Sequence, residues 1–131
     1  MKTPVWLERA DGLAIHEMML AQHGGRAGVR DEGLLESALG KPKNLLAYDS
    51  PTLAQLAASY AAGIILNHPF VDGNKRTGFL VAATFLELNG VEFTAAEESV
   101  VEKTLALAAG GPKEAGYAAW LKTNSRYGES K

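Results

Sequence analysis

The 131-residue sequence predicts an all-α fold, and three observations carry that expectation. Apolar residues recur at three- and four-residue spacing through 53–65, the period of one helix face. Residues 79–88 hold only Thr84 and Glu87 as polar positions, so a helix there is apolar nearly all round and belongs in the middle of the molecule. Glycine and proline punctuate the intervening stretches, at Gly24-Gly25, Gly40 with Pro42, Pro69, Gly90 and Gly110-Gly111. The expectation is a compact bundle of about six helices in a single domain, residues 1–131. A frayed tail is expected at 126–131, and a short hairpin or flap near 43–51.

In chain order, a first helix spans 8–22, with Leu13, Met18 and Leu20 among its apolar positions and Gly24-Gly25 ending it. Residues 24–29 form a loop. Asp31 then caps a short helix over 32–39, which Gly40 and Pro42 terminate. Residues 43–51 read as loop, with 44–48 a short strand or hairpin arm. Thr52 starts the next helix, whose stripe Leu53, Leu56, Ala57, Tyr60, Ala61, Ile64 and Ile65 extends in register to His68. Pro69 stops it, because the residue before a proline is pushed out of the α region. Another helix begins near Asn74 and ends at Asn89-Gly90. Residues 91–93 form a brief extended link, and helices over 95–109 and 112–124 follow.

Composition excludes several function classes. Thirteen basic against fifteen acidic residues give a net charge of −2, against the excess of cations that a nucleic-acid binder carries. Zero cysteines exclude a disulfide scaffold, a thiolate zinc site and a cysteine nucleophile, and they suit the cytoplasm. Glu8, Arg9 and Asp11 interrupt any apolar signal core near the start. The greasiest window, 53–66, is broken by Gln55 and Ser59 and falls short of the roughly 18 to 20 residues of a bilayer span. Neither direct nucleic-acid binding nor a membrane role is expected.

Chemistry concentrates in His68-Pro69-Phe70-Val71-Asp72-Gly73-Asn74-Lys75-Arg76, a loop held between two apolar helices. Asp72-Gly73-Asn74 is turn chemistry, and the turn exposes backbone N–H groups at a helix start, a ready anion site. Lys75 and Arg76 oppose the helix dipole there, at a cost of about 0.3 to 1 kcal/mol each unless an anion lies between them. A phosphate meets that condition, since a guanidinium grips two of its oxygens. Asp72 offers a hard oxygen ligand suited to Mg²⁺, and His68 an imidazole suited to general-base work. Taken singly, each has an ordinary role: His68 a satisfied core histidine, Asp72 a turn residue, Lys75 and Arg76 solvated surface. Together on one rigid loop they point to phosphoryl or nucleotidyl transfer, with Phe70 anchoring the loop in the core.

Residues 68–76, continuing into Thr77, resemble the signature of the Fic/Doc superfamily, His-x-Phe-x-Asp/Glu-Gly/Ala-Asn-x-Arg, at every specified position. Residues 24–39 before the motif and 85–90 after it extend the resemblance over nearly the whole chain. Within the superfamily it is nearest the death-on-curing (Doc) toxins of bacterial toxin–antitoxin modules. Fic AMP-transferases usually carry Gly where this chain has Lys75 and a second Arg where it has Phe79. The Doc branch shares both departures and binds its nucleotide turned round, so that the terminal phosphoryl group is transferred.

The resemblance thus implies a Mg²⁺- and ATP-dependent protein kinase acting on a Ser/Thr hydroxyl of elongation factor Tu and halting translation. It implies His68 as base, Asp72 as the Mg²⁺ ligand, and Gly73, Asn74, Lys75 and Arg76 as the phosphate-binding set, with Lys75 and Arg76 also acting on the transferring group. A partner antitoxin, whose disordered segment folds as a helix in a groove, is implied as the restraint. Two alternatives stand beside this: AMP transfer at the same site, and an inactive antitoxin-binding or regulatory module.

Other patterns are set aside. His16-Glu17-Met18-Met19-Leu20 begins like a zinc-protease motif but lacks its second histidine, and His23 brings no third ligand. Gly73 and Gly78 have P-loop spacing, but Phe79 stands where the lysine is needed. Residues 94–99 match an inhibitory Fic motif in all but the last position and read as helix capping. Asp31/Glu32 and Glu97/Glu98 read as helix-start charges, Trp6 and Trp120 as packing residues, and Arg30 as a contact to a substrate protein.

Overall fold

A helix must satisfy its first amides from outside itself, and here Asp31 and Thr52 supply side chains for that at two of the helix starts. A computed structural model describes residues 3–111 and 113–127. Among these lie α1 (Arg9–His23), α2 (Glu32–Tyr48), α3 (Leu53–Asn67), α4 (Asn74–Leu88), β1 (Val91–Phe93), α5 (Glu97–Ala108), α6 (Lys113–Thr123) and β2 (Ser125–Tyr127). The Asp31 carboxylate accepts from the Leu34 amide at 3.0 Å to start α2. Thr52 and Gln55 cap each other at the start of α3, through Gln55 N–H to the Thr52 hydroxyl at 3.1 Å and Thr52 N–H to Gln55 Oε1 at 2.7 Å.

Helix α3 is the hub. Eleven of its fifteen residues are buried, and it packs against α2, α4 and α6. Its contact with α4 is close because Gly78 has no side chain: a Cβ there would lie 2.6 Å from Ile65 Cγ1. The Tyr60 hydroxyl accepts from the Leu7 amide at 3.0 Å and donates to the Leu7 carbonyl at 3.2 Å, closing the N-terminal segment over the core. Burial pushes this phenol up to about 12. A second cluster forms where Phe79, Phe93, Tyr117 and Trp120 meet edge-on or tilted, behind the start of α4.

The all-α expectation of about six helices is met, with a small antiparallel pairing of β1 and β2 added. Several boundaries differ. Helix α2 does not stop at residue 39, and no hairpin or flap forms near 43–51: the helix runs through Gly40 and Pro42 to Tyr48. Proline inside a helix removes one hydrogen bond and costs about 3 kcal/mol. Pro42 is itself buried, however, and Leu45 and Leu46 on the next turn pack against the core. That tertiary burial outweighs the local penalty.

In α1 the buried residues are Gly12, Ile15 and His16; of the apolar positions Leu13, Met18 and Leu20, Leu13 packs against the core while Met18 is 43% exposed. Arg126 and Tyr127, expected to fray, pair with Glu92 and Val91 across the sheet; residues 128–131 lie outside the described ones. Glu97 and Glu98 occupy the first turn of α5 as expected, but Thr94 does not cap it. Its hydroxyl and amide both donate to the Asn124 carbonyl, at 3.0 and 2.8 Å, which ties the chain after β1 to the end of α6.

Candidate functional site

The segment between α3 and α4 is fixed from three sides. His68 ends α3 in the left-handed conformation (φ 52°, ψ 59°), its N–H bonded to the Ile64 carbonyl at 3.1 Å. The Arg30 guanidinium donates to the carbonyls of His68 at 2.7 Å and Asn67 at 2.8 Å, so it closes the end of α3 rather than reaching for a substrate protein. Residues 28–31 run beside 69–71, with Val71 N–H on the Gly28 carbonyl and the Arg30 and Asp31 amides on the Pro69 carbonyl. Phe70, 1% exposed, is the anchor the sequence predicts.

Asn74 closes the loop from the other end. Its side chain accepts from the Phe70 amide and donates to the Phe70 carbonyl, both at 3.0 Å. The Asn74 amide group is thus engaged within the loop, and what it offers an anion is its backbone N–H.

Gly73 precedes α4 with φ 76°, a conformation glycine adopts without the Cβ penalty, and provides no side-chain cap. The first helical bond is Thr77 N–H to the Gly73 carbonyl at 3.0 Å. The amides of Asn74, Lys75 and Arg76 therefore have no protein acceptor among the described residues. Lys75 and Arg76 are exposed, and neither forms an ion pair among the described residues. Three free N–H groups and two unpaired cations share one helical turn.

Beside them lies the Asp72 carboxylate. One oxygen accepts from the Arg26 amide at 3.2 Å and the other from the Gly73 amide at 2.9 Å. These bonds, the Arg26 amide first, hold it below its ordinary value near 3.8, with the Arg26 and His16 charges adding to the effect. It is an anion at neutral pH.

Asp72, Gly73, Asn74, Lys75 and Arg76 line a cleft of about 490 Å³, walled by Met19 and His23 of α1 and by Val100, Val101 and Leu105 of α5. Phe79 lines it too, packed edge-on against Phe93 at 5.6 Å, so this wall is aromatic. His68 is exposed and lies outside the lining of this cleft, at the far end of the loop. The arrangement can hold an anionic group on the amides and cations of α4, next to one ionised carboxylate.

One residue escapes the sequence reading. His16 is 4% exposed, its Nε2 lies 2.8 Å from the Asp72 carbonyl, and its ring stacks on Phe70 at 3.9 Å. The available signal is positional: His16 follows Gly12 by four residues, on the buried stripe of α1, and a buried polar group needs a partner.

Known proteins resemble this chain. The model of the Fic/DOC family matches residues 6–86. Toxin Doc of Mycolicibacterium smegmatis is 39% identical over 92 residues, 69% of this chain and 68% of that protein. Protein kinase doc of Escherichia phage P1 is 35% identical over 81 residues, 61% of this chain and 64% of that protein. The match to the family model runs from before α1 to near the end of α4 and contains the loop, the cleft-lining cations and His16, and the chain belongs to the Fic/DOC family.

Proposed function

We propose that this chain is a Doc-type toxin and a protein kinase: it passes the terminal phosphoryl group of ATP to a Ser/Thr hydroxyl of elongation factor Tu and so arrests translation in the cytoplasm. The observation that carries the reading is the start of α4, where three free amides and two unpaired cations adjoin an ionised carboxylate. A helix start so built is unfavourable by itself and favourable with phosphate on it. The relative named a protein kinase supports phosphoryl transfer, and the aromatic wall at Phe79 supports it over AMP transfer, because no second arginine is present there.

In this reaction the hydroxyl oxygen of the target forms a bond to the terminal phosphorus, the bond from that phosphorus to the bridging oxygen breaks, and ADP leaves. His68 takes the hydroxyl proton. Its exposure suits that role, since a hydroxyl carried on a protein must approach from solvent. Arg76 and Lys75, with the amides of residues 74–76, neutralise charge on the transferring oxygens, and positioning with electrostatics supplies most of the catalysis. Asp72 fits Mg²⁺: it is ionised and lines the cleft, and Mg²⁺ is commonly held by one or two carboxylates together with substrate phosphates and water. When bound, the ion would neutralise phosphate charge. Among the described residues no group of three or more acidic or histidine side chains could hold a metal alone, so Asp72 acts with the nucleotide.

A partner antitoxin completes the reading. Val101 and Leu105, each 52% exposed on α5, give the cleft an apolar wall against which a folding helix can dock. No described helix is long and apolar enough to cross a membrane.

The test is to incubate the protein with Mg²⁺, elongation factor Tu and ATP labelled at the γ- or the α-phosphate. Label is expected on the target from the γ position only. α-Label on the target would overturn the reading in favour of AMP transfer, and no label from either would leave an antitoxin-binding module. His68→Ala is expected to abolish growth arrest with the fold intact, and persistent toxicity would remove His68 from the base role.

A further inference from the structure

The mechanism above leaves one buried imidazole unused. His16 comes from α1, remote in sequence from the loop, yet three contacts aim it there. Its Nε2 lies 2.8 Å from the Asp72 carbonyl, its ring lies nearly parallel to Phe70 (3.9 Å, 11°), and a Cβ on Gly73 would sit 3.8 Å from it. A carbonyl only accepts, so Nε2 carries the proton and donates.

We infer that His16 is a positioning residue for the Asp72–Gly73 peptide, and through it for the Asp72 carboxylate and the free amides of α4. The peptide is planar, so fixing its carbonyl fixes its N–H. That N–H is the Gly73 amide, which donates to one Asp72 carboxylate oxygen at 2.9 Å. Gly73 is also the residue on which α4 begins, so the direction of the first helical amides follows from the same plane. The stack on Phe70 fixes the imidazole plane, and Phe70 is itself held by Asn74. The chain of constraint runs from α1 to the carboxylate without His16 lining the cleft.

The kinetic part of this inference rests on the phosphoryl-transfer reading, whereas its structural part stands alone. Two substitutions separate donor from ring in the full-length protein: His16→Phe keeps an aromatic stack and loses the N–H, and His16→Gln keeps an N–H donor and loses the stack. In the γ-label assay, His16→Phe should lower kcat by about 100-fold, the cost of displacing reacting groups by about 1 Å, with KM for the target within about threefold. His16→Gln should recover to within about tenfold of wild type. Wild-type turnover in His16→Phe, equal losses in both variants, or a loss confined to KM would overturn the assignment.

Should the wild-type protein transfer no label, the transfer reading fails, and hydrogen exchange of the Gly73 amide decides the rest. Faster exchange in His16→Phe with protection kept in His16→Gln supports the positioning role, and equal exchange in both variants overturns it. If His16→Phe does not fold, His16→Gln decides by itself: a protected Gly73 amide supports the role and an unprotected one removes it.

Discussion

Helices α3 and α4 lie side by side in the core and begin in opposite ways. Thr52 and Gln55 close the start of α3 with two reciprocal hydrogen bonds and no charge. Among the described residues, the start of α4 has no side-chain cap, three amides without protein acceptors, and two cations in its first turn. Both helices are strongly buried along their middles, so the difference is not one of packing. One start is satisfied within the protein, and the other is satisfied by something brought to it. A local arrangement that lowers stability without a ligand marks where the ligand goes.

The comparison breaks most readily at Arg76. Removing a single preorganised donor to a developing oxyanion costs about 100- to 1,000-fold in turnover. Arg76→Ala should lose that much in the γ-label assay while the thermal midpoint stays within a degree or two (about 0.5 kcal/mol) of wild type, as an exposed unpaired side chain implies. A comparable loss of stability would mean that the guanidinium has a structural task, and the contrast with α3 would fail.

Thr52→Ala is the mirror experiment. Losing an N-cap costs about 0.5 to 2 kcal/mol. The variant should unfold at lower denaturant with unchanged slope, and its rate of phosphoryl transfer should match wild type at a temperature where both are folded. Lys75→Glu sharpens the point from the other side. It exchanges an unfavourable charge in the first turn of α4 for a favourable one, each change amounting to about 0.3 to 1 kcal/mol. Its midpoint should rise as its activity falls, measured on one preparation by thermal melting and label transfer. A variant both less stable and less active would show that α4, like α3, starts for stability alone.

What could be read in advance follows the range of the interactions involved. The α3 stripe, the stop at Pro69, the turn at Gly73 and the cations of α4 are local, each signalled within a few residues. Asp31 and Thr52 announce their helices for the same reason. The run of α2 through Pro42 could not be read, because the penalty is local and the compensation, burial of Pro42 with Leu45 and Leu46 packed on the core, is not. Strand β2 exists only because Val91–Phe93 is there to pair with it. The motif named the Asn74 position without revealing that its side chain is engaged by Phe70. His16 belonged to a failed metal motif in sequence and to the loop in space. Arg30 read as a contact to a substrate protein and serves as the cap of α3.

The smallest effect concerns pH and again separates the two starts. The α3 start is neutral, so its contribution does not titrate. Beside α4, Asp72 is held below its ordinary value near 3.8 by the Arg26 and Gly73 amides. A carboxyl with a depressed folded-state value binds its proton more weakly folded than unfolded. Its contribution is therefore fully present above its ordinary value and is lost as pH falls through the lower folded one. Stability should decline on acidification below about pH 4, and Asp72→Asn, which cannot titrate, should be slightly less stable than wild type at neutral and alkaline pH and lose less on acidification. The difference is small, because the carboxylate is exposed and solvent screens it. Urea midpoints for wild type, Asp72→Asn and Thr52→Ala across the acid range make the distinction. The Thr52→Ala curve should run parallel to wild type, and the Asp72→Asn curve should converge with it only at the acid end. Parallel curves for both variants would mean that the carboxylate feels no net pull from those amides, and the electrostatic contrast between the two starts would fail.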